Sequence, residues 1–476
     1  MRNLVTLVLI LAWNVLALPV FAADLPDSVR QALRKANIPE SAVSVYAKEV
    51  DAERPLVAVN ADVPMNPASV MKVVTTYAGL ELLGPAYTWR TEIYANGPIK
   101  HGQLQGDLLI KGYGDPNLNL ENFWLLLRQL RQTGLKSISG DLIIDYSYYN
   151  LPEEDPGAFD GKRYKTYNVI PEALLVNYRT SALHLFPDPQ NGDVRIVSDP
   201  ESQLLSVQNQ LKLTQKRCGT SSVRMNIREG TPQPGRVTVL FEGEYPATCG
   251  KSTYYLSLLN NSIYIHQLFR ELWGQLGGTF NGGVQQGVVP GTLKPISVYH
   301  SPPLAEIIRG INKFSNNIAA RQLFLSLGEA VSSDNKFVSL NLARSGIRQW
   351  LFSKNMDFPE LVMENGSGLS RKGKISARHL SELLNAAYFS PTMPEFMASL
   401  AVTGVDGTAR KRLKKSVVAQ KAHIKTGTLK NVSAVAGYVL NHRNKRYVVV
   451  FIVNHPQSGG AKAAMDKLLE WLYLKT

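Results

Sequence analysis

The spacing of apolar positions changes along the chain and predicts where strands and helices lie. Between 42 and 59, apolar and polar residues alternate on either side of a polar turn, which predicts two strands. From 70 to 80 the apolar residues recur with helical spacing, which is typical of a helix with one buried face. Pro67 suits the first turn of this helix, and Gly84 ends it. The pattern therefore predicts a helix that begins close to Ser69.

The sequence pattern changes from 91 to about 149, where short runs of alternating apolar and polar residues are separated by glycine-rich turns. One helix is predicted inside this region, at 120–133. Residues 167–260 have mostly strand-like alternation with many proline and Asn-Gly turns, and a helix at 263–276 follows. The middle of the chain is therefore predicted to be rich in strands.

Helical patterns dominate after Pro295, and strands return near the C-terminus. The predicted helices lie at 304–311, 318–327, 340–353 and 377–389, and strands at 423–428, 432–440 and 447–454 precede a last helix at 461–474. Strands at both chain ends suit one mixed α/β sheet with helices around it. The strand-rich middle would then be an insertion into that domain.

The N-terminus has the pattern of an export signal. Arg2 precedes an apolar run at 4–20, and small residues at Val20 and Ala22 suit cleavage before Ala23. An uncleaved anchor is the competing interpretation, but Asn14 interrupts the run. We therefore expect a signal peptide of residues 1–22 and an exported, periplasmic protein.

Composition narrows the classes of function. At 476 residues the chain is long enough for two or three domains, and 44% hydrophobic with 19% charged residues describes a globular protein. The net charge of +14 favours an anionic environment such as a membrane surface or wall polymer, unless it serves solubility alone. Neither zinc-finger spacing nor an RNP-like aromatic motif occurs, so nucleic acid is not a predicted partner. The eight histidines have no metal-ligand spacing, and we predict no metal and no cofactor.

Two cysteines, Cys218 and Cys249, lie mid-chain. In an oxidising compartment they could form one disulfide, which would stabilise the fold by roughly 3 kcal/mol. Two free buried thiols are the alternative. Neither cysteine has the sequence surroundings of a nucleophile.

Ser69 and Lys72 place a hydroxyl and an amine three residues apart at the start of the predicted helix. At that spacing the two side chains share one helix face. A neutral lysine can take the serine proton, and burial or a neighbouring cation would lower its pKa enough to keep it neutral. A second Ser-x-x-Lys match begins at Ser333, but polar residues surround it. We therefore predict Ser69 as nucleophile and Lys72 as its base.

Lys425, Thr426 and Gly427 form a rarer motif on a predicted strand that ends at Thr428. On an edge strand, lysine and threonine can hold a substrate carboxylate, and glycine lets a ligand backbone approach closely. An exposed strand end with a turn glycine is the alternative interpretation. His423, on the same strand face, is expected to be structural.

A Ser-x-Asn motif is the least specific of the three. Four matches occur, beginning at Ser315, Ser333, Ser339 and Ser353. Ser315 is preferred because it follows one apolar helix and opens another. Ser315 is predicted to relay a proton, and Asn317 to orient Lys72 or the substrate amide; a simple helix cap is the alternative.

Together the motifs follow the order Ser-x-x-Lys, Ser-x-Asn, Lys-Thr-Gly, which is the signature of penicillin-recognising serine enzymes. The segments that carry a closer resemblance are Asn66-Pro-Ala-Ser-Val-Met-Lys72, Lys313-Phe-Ser-Asn-Asn317, Glu364-Asn-Gly-Ser-Gly-Leu-Ser-Arg371, Gly404-Val-Asp-Gly-Thr408 and Lys425-Thr-Gly-Thr428, with Gly114-Asp-Pro, Gly140-Asp-Leu-Ile-Ile-Asp145 and Leu174-Leu-Val-Asn177 in the insertion. In these segments the chain resembles the class C, type-4 penicillin-binding D-alanyl-D-alanine carboxypeptidase/endopeptidases over essentially its whole mature length.

The resemblance implies a penicillin-binding, β-lactamase-like catalytic domain, an antiparallel sheet flanked by helices, with two nested inserted domains. The implied division is 23–90 with 295–476 for the catalytic domain, 91–166 with 261–294 for inserted domain II, and 167–260 for the mostly β inserted domain III. It also implies an oxyanion hole from the N–H groups of Ser69 and Thr428. Asp145 and Arg371 are the residues implied to bind the peptide stem.

Two positions depart from the family pattern: Arg321 stands where a glutamate is more common, and Lys430 where a neutral polar residue is. The implied function is a serine D-Ala-D-Ala carboxypeptidase or D,D-endopeptidase that acts on peptidoglycan peptides and is acylated by β-lactams. At most peripheral contact with membrane or wall is expected, and the oligomeric state is left open. A β-lactamase or esterase on the same scaffold and a non-catalytic wall-binding protein are the alternatives.

Overall fold

The computed structural model describes residues 24–230, 235–332 and 337–475. The predicted signal peptide and the second Ser-x-x-Lys match at Ser333 lie outside the described residues. Among the helices of the described ranges, none combines the length and hydropathy that crossing a bilayer requires.

The strands are, in chain order, β1 (Val43–Glu49), β2 (Val57–Val59), β3 (Arg90–Asn96), β4 (Ile99–Lys100), β5 (Gln103–Leu104), β6 (Asp107–Gly112), β7 (Ser137–Ile138), β8 (Leu142–Asp145), β9 (Ser181–Asp188), β10 (Asp193–Asp199), β11 (Leu205–Thr214), β12 (Arg224–Glu229), β13 (Val237–Pro246), β14 (Ser252–Leu256), β15 (Thr279–Phe280), β16 (Val284–Gln286), β17 (Ser297–His300), β18 (Ala401–Val402), β19 (Ala422–Leu429), β20 (Val432–Leu440) and β21 (Arg446–Asn454). The α-helices are α1 (Asp27–Lys35), α2 (Lys72–Leu82), α3 (Leu120–Gln132), α4 (Asn261–Gln275), α5 (Leu304–Phe314), α6 (Asn317–Ser326), α7 (Leu340–Ser353), α8 (Ala377–Phe389), α9 (Met393–Ser399) and α10 (Lys462–Leu474).

One sheet joins the two ends of the chain in the order β18-β19-β20-β21-β1-β2. Its pairings are antiparallel, and β1 lies beside β21 with Val43 opposite Val453. Strands β20 and β21 are almost wholly buried, which suits their mostly apolar sequences because helices cover both faces of the sheet. Helices α1 and α10 cover one face, and α2, α5, α6, α7 and α8 cover the other. The prediction of a mixed α/β sheet flanked by helices is confirmed.

The inserted region builds its own sheets. Strands β16-β8-β6-β3-β17 form one sheet and β15-β7-β5-β4 another, with α3 and α4 packed beside them. Two further three-stranded sheets, β10-β9-β14 and β11-β13-β12, lie within 181–256. All four sheets contribute to one apolar core. We propose the nested division described above, with its outer boundary moved past His300, because β17 pairs with β3 through Ser297 and Ile93.

Cys218 and Cys249 form a disulfide in this region. It ties the segment after β11 to the short turn after β13. Of the two alternatives left open by the sequence, a disulfide or two free thiols, the structure has the disulfide.

Candidate active site

Ser69 lies on a short 3₁₀ turn, Ala68–Met71, that leads directly into α2. Its neighbours Val70 and Met71 are buried, whereas Ser69 is partly exposed. Ala68 has a φ of 48°, in the left-handed region that a residue with a side chain rarely adopts. Backbone strain of this kind is concentrated at functional sites, where the surroundings hold it in place. The turn presents the Ser69 hydroxyl on top of an otherwise buried helix.

Lys72 is fully buried beneath Ser69. Its Nζ atom lies 2.6 Å from Oδ1 of Asn317, 2.6 Å from the carbonyl oxygen of Ser367 and 3.1 Å from Oγ of Ser69. The first two oxygens can only accept, so they take both N–H groups of a neutral amine. The remaining lone pair then faces the Ser69 hydroxyl. Burial, followed by the positive charge of Lys425, holds the pKa of Lys72 well below its usual value.

Ser315 and Asn317 lie where α5 ends and α6 begins. Ser315 takes a left-handed conformation, with φ 59° and ψ 38°, which reverses the chain between the helices. Asn316 then caps α6 by accepting from the Ala319 N–H. The reversal directs Asn317 to Lys72 and Ser315 to Lys425.

Lys425 is fully buried on β19. Its Nζ donates to Oγ of Ser315 at 3.0 Å and to the carbonyl oxygen of Thr426 at 2.7 Å. Burial lowers the pKa of Lys425 to about 7. The Thr426 hydroxyl points the other way and donates to the Thr408 hydroxyl at 2.9 Å. The Ser-x-Asn and Lys-Thr-Gly motifs are therefore in direct contact.

The outer edge of β19 is open beside Ser69. Strand β18 pairs only with His423 and Ile424, so within the described ranges no strand covers the edge from Lys425 onward. Gly427 packs against the turn that carries Ser69: an added Cβ would lie 2.5 Å from the Pro67 carbonyl oxygen. Thr428 is exposed at the end of this edge. An extended peptide can pair with such an edge beside the serine.

Three groups to which the sequence analysis assigned no role complete the site. The carbonyl of Ser367 fixes Lys72, and its neighbour Gly368 touches the Ser69 turn so closely that an added Cβ would lie 1.9 Å from the Ala68 carbonyl oxygen. Thr408 contacts Thr426, and its loop is anchored by an ion pair of 2.6 Å between Lys313 and Asp406. Backbone carbonyls have no residue-specific signal, whereas the Gly404–Thr408 motif had marked this loop without assigning it a task.

The two residues implied to bind the peptide stem have different surroundings. Arg371 is exposed, and its guanidinium lies over the Phe159 ring at 4.4 Å from the centroid. Asp145 is fully buried; it accepts from the N–H groups of Ser147 and Val289 and lies 3.6 Å from Lys111. A carboxylate enclosed in this way has no surface for a substrate. The inserted segment that reaches Arg371 is instead the one that carries Phe159.

Comparison with known proteins agrees with this geometry. The model of the family described as "D-Ala-D-Ala carboxypeptidase 3 (S13) family" matches residues 25–473. A D-alanyl-D-alanine carboxypeptidase of Actinomadura sp. (strain R39) is 27% identical over 418 residues, which cover 84% of this chain and 75% of the relative. The crystal structure of penicillin binding protein 4 (dacB) from Haemophilus influenzae has a TM-score of 0.75 at 23% identity, with 94% of this chain and 99% of that one covered. The same protein complexed with a β-lactam has a TM-score of 0.73 at 22% identity and the same coverage.

The match to the family model spans nearly the whole described chain, and the order and fold of its segments agree with the solved relatives. The expected resemblance is therefore confirmed, and with it the assignment to serine-type D-Ala-D-Ala carboxypeptidases, which are hydrolases. The chain belongs to the D-Ala-D-Ala carboxypeptidase 3 (S13) family.

Proposed function

We propose that the protein hydrolyses the D-Ala–D-Ala terminus or a D-Ala cross-link of peptidoglycan peptides through an acyl-enzyme on Ser69. The arrangement of hydrogen bonds around Lys72 carries this proposal. Its N–H groups are taken by Asn317 and Ser367, so its lone pair faces the Ser69 hydroxyl at 3.1 Å. A base needs this distance and a depressed pKa, and Lys72 has both.

In the acylation step, Lys72 takes the proton of Ser69 as its Oγ bonds to the D-Ala carbonyl carbon. The oxyanion that forms is placed between the backbone N–H groups of Ser69 and Thr428, at the open edge of β19. The C–N bond then breaks. Ser315 passes a proton to the leaving amine, and the 3.0 Å hydrogen bond from Lys425 supports that role.

The leaving group carries a carboxylate when it is a single D-alanine; when a cross-link is cleaved, the leaving group is the strand that supplied the amine. The Thr426 and Thr408 hydroxyls lie 2.9 Å apart on one side of β19, and the amine of the preceding residue, Lys425, lies on the other side against Ser315. Their charge and hydroxyls suit a carboxylate. Water then attacks the acyl carbon, releases the shortened peptide as an acid and restores the Ser69 proton.

The stem peptide on the acyl side would lie against Arg371 and Phe159. The ring holds the guanidinium flat and keeps it from folding away, which preorganises a cation for a carboxylate of the peptide. This assignment replaces Asp145 by the segment around Phe159 as the contribution of the inserted region.

The same site explains the partners we propose. β-Lactams would acylate Ser69 as substrate mimics, in keeping with the β-lactam complex of the Haemophilus influenzae relative. We place the enzyme in the periplasm, where its substrate is found, with the signal peptide cleaved near Ala22. The net charge of +14 would favour peripheral contact with anionic wall or membrane surfaces.

The test is a labelled-penicillin experiment with Ser69→Ala beside Ser301→Ala, a serine outside the motifs. Wild type and Ser301→Ala should form a covalent adduct and release D-alanine from a pentapeptide, and Ser69→Ala should do neither. An adduct that persists in Ser69→Ala would disprove the assignment. Rapid turnover of the wild-type adduct would favour a β-lactamase instead.

A further inference from the structure

A cavity opens directly beside the proposed catalytic groups. It has a volume of about 680 Å³ and begins at Ser315 and Asn317. Its far wall comes from the inserted region, where Tyr167, Tyr178 and Tyr255 line it. A space of this size holds a ligand far larger than one alanine. The reaction at Ser69 as proposed above needs no such room on this side if only D-alanine departs.

Two aromatic side chains in the cavity wall are exposed rather than packed. Phe314, which directly precedes Ser315, is 73% exposed, and Tyr255 on β14 is 58% exposed. Single exposed rings are common on protein surfaces, but these two line one cavity and give it apolar contact area. They come from two separate parts of the chain and line the same space.

The turn that supplies Tyr178 is strained and firmly held. Asn177, Tyr178 and Arg179 are consecutive residues with φ values of 47°, 51° and 52°, all in the left-handed region. Non-glycine residues rarely adopt this conformation even singly. Such strain persists only where the surroundings impose it, and it is concentrated at binding and catalytic sites.

Hydrogen bonds from neighbouring elements fix this turn. The N–H of Asn177 donates to the carbonyl of Leu118, and its amide donates to the Tyr264 hydroxyl. The Tyr178 hydroxyl donates to the carbonyl of Pro116, and Arg179 donates to Ser257. Tyr178 also packs on the apolar cluster that contains Ile318 of α6. The cavity wall is thus preorganised against the helix that carries Asn317.

The lining has one chemical character. It consists of aromatic rings, hydroxyls such as those of Thr166 and Thr180, and amides; none of the described residues that line it carries a charge. This suits a neutral, amphipathic group with amide or hydroxyl edges, such as peptide backbone or an N-acetylated sugar. A free carboxylate or ammonium group would find no counter-charge there.

We propose that this cavity binds the strand attached to the leaving amine of a cross-linked substrate. The inference rests on the proposed function, because Ser315 is the group that passes a proton to that amine. The part of the substrate that continues beyond the amine must leave the site next to Ser315, where the cavity begins. Tyr255 and Phe314 would then determine how strongly the enzyme prefers a cross-linked substrate over a free D-Ala–D-Ala end.

The test compares a cross-linked muropeptide dimer with a pentapeptide monomer as substrates for Tyr255→Ala and Phe314→Ala. We expect kcat/KM on the dimer to fall about tenfold relative to kcat/KM on the monomer in each variant, from loss of an aromatic contact. Phe352→Ala is the matched control, because Phe352 is 82% exposed on α7, outside this cavity. In Phe352→Ala the ratio of kcat/KM on the dimer to kcat/KM on the monomer should equal that of the wild type.

Dimers with and without their disaccharides distinguish the two neutral groups. A selective loss confined to the sugar-bearing dimer assigns the cavity to a sugar, and an equal loss with both dimers assigns it to peptide. A ratio unchanged in both variants would overturn the proposal, as would wild-type enzyme that trims pentapeptide but leaves the dimer intact. Failure of labelled penicillin to modify Ser69 would instead refute the proposed function itself.

Discussion

Gly427 lies against the backbone of Ser69. A Cβ atom added to Gly427 would lie 3.1 Å from the backbone nitrogen of Ser69 and 2.5 Å from the carbonyl oxygen of Pro67. The strand with the Lys-Thr-Gly motif therefore packs backbone to backbone on the turn that holds the nucleophile. A glycine is required there by the closeness of the two chains.

Gly427→Ala should separate β19 from the Ser69 turn. We expect the free energy of unfolding to fall by about 1–3 kcal/mol and penicillin acylation to slow, because the clash is with backbone that cannot move aside. Urea unfolding and the acylation rate measure the two effects. Gly310→Ala, on α5 with no atom of the described residues within 4 Å of its added Cβ, is the control and should raise stability by about 0.5–1 kcal/mol. Unchanged acylation in Gly427→Ala would contradict the proposed contact.

The sequence predicted the elements whose periodicity is strong. Helices α7 and α8 have the predicted bounds because each buries one regular set of apolar positions, and β20 has them because nearly its whole length is buried. Helix α1 was missed. Only Val29 and Leu33 are buried in its nine residues, too few to stand out beside the signal segment.

The candidate site was predictable where a side chain acts and unpredictable where the backbone does. Ser69, Lys72, Ser315 and Lys425 each bear chemistry in a spaced motif, and the fold brings them together. The carbonyl of Ser367 was not predictable, since any residue supplies one. The burial of Asp145 was not predictable either, because sequence cannot tell a carboxylate that faces solvent from one that binds two backbone N–H groups inside a domain.

The buried amine of Lys425 should make stability depend on pH in the alkaline range. Its pKa is about 7 in the folded protein and about 10.4 when unfolded, so between these values the unfolded chain binds the extra proton. Stability should therefore rise with pH across this window, by up to about 1.4 kcal/mol per pH unit for this group. In Lys425→Met that contribution to the slope disappears, whereas Lys421→Met, at an exposed position, should retain it. The measurement is urea unfolding at several pH values. If stability rises equally with pH in the wild type and both variants, Lys425 is not the source of the dependence.

Lys425 should also set the pH dependence of acylation through Lys72. Its charge is the second cause, after burial, of the low pKa of Lys72. Removal of that charge in Lys425→Met should raise the pKa of Lys72 and move the acidic limb of the residual penicillin acylation to higher pH. The measurement is the acylation rate between about pH 5 and 10. A limb that stays in place or moves to lower pH would show that the two amines are not coupled.

The disulfide should stabilise the inserted region without affecting chemistry. Cys218 and Cys249 are separated by 31 residues, and a loop of that length corresponds to about 3–4 kcal/mol in the chain-entropy estimate. The double variant Cys218→Ser/Cys249→Ser should therefore be more sensitive to proteolysis between β11 and β14. Its penicillin acylation should match the wild type, because the closed loop contains none of the proposed catalytic residues. A parallel loss of acylation would show that the inserted sheet supports the site.

The departure at Arg321 is paired with a residue of the inserted segment. Its guanidinium is buried on α6 and donates to Glu154 at 2.8 Å and to the Val169 carbonyl at 3.3 Å. Glu154 is five positions before Phe159, which lies on Arg371. The ion pair therefore fastens the segment that carries Phe159 to the helix that begins at Asn317.

Glu154→Gln should loosen this segment and leave the charge of Arg321 buried with one carbonyl. We expect a loss of about 1–2 kcal/mol in stability, below that of a fully buried pair because Glu154 is 38% exposed. KM for the peptide should rise, while penicillin acylation changes little, since Lys72 is untouched. The charge-swapped variant Glu154→Arg/Arg321→Glu should have a KM between those of Glu154→Gln and the wild type. Arg163→Gln, which breaks an exposed ion pair with Asp155 in the same segment, is the control and should behave like the wild type. If KM rises equally in the control, the segment is sensitive to any charge change and the Glu154–Arg321 pair has no special part in positioning it.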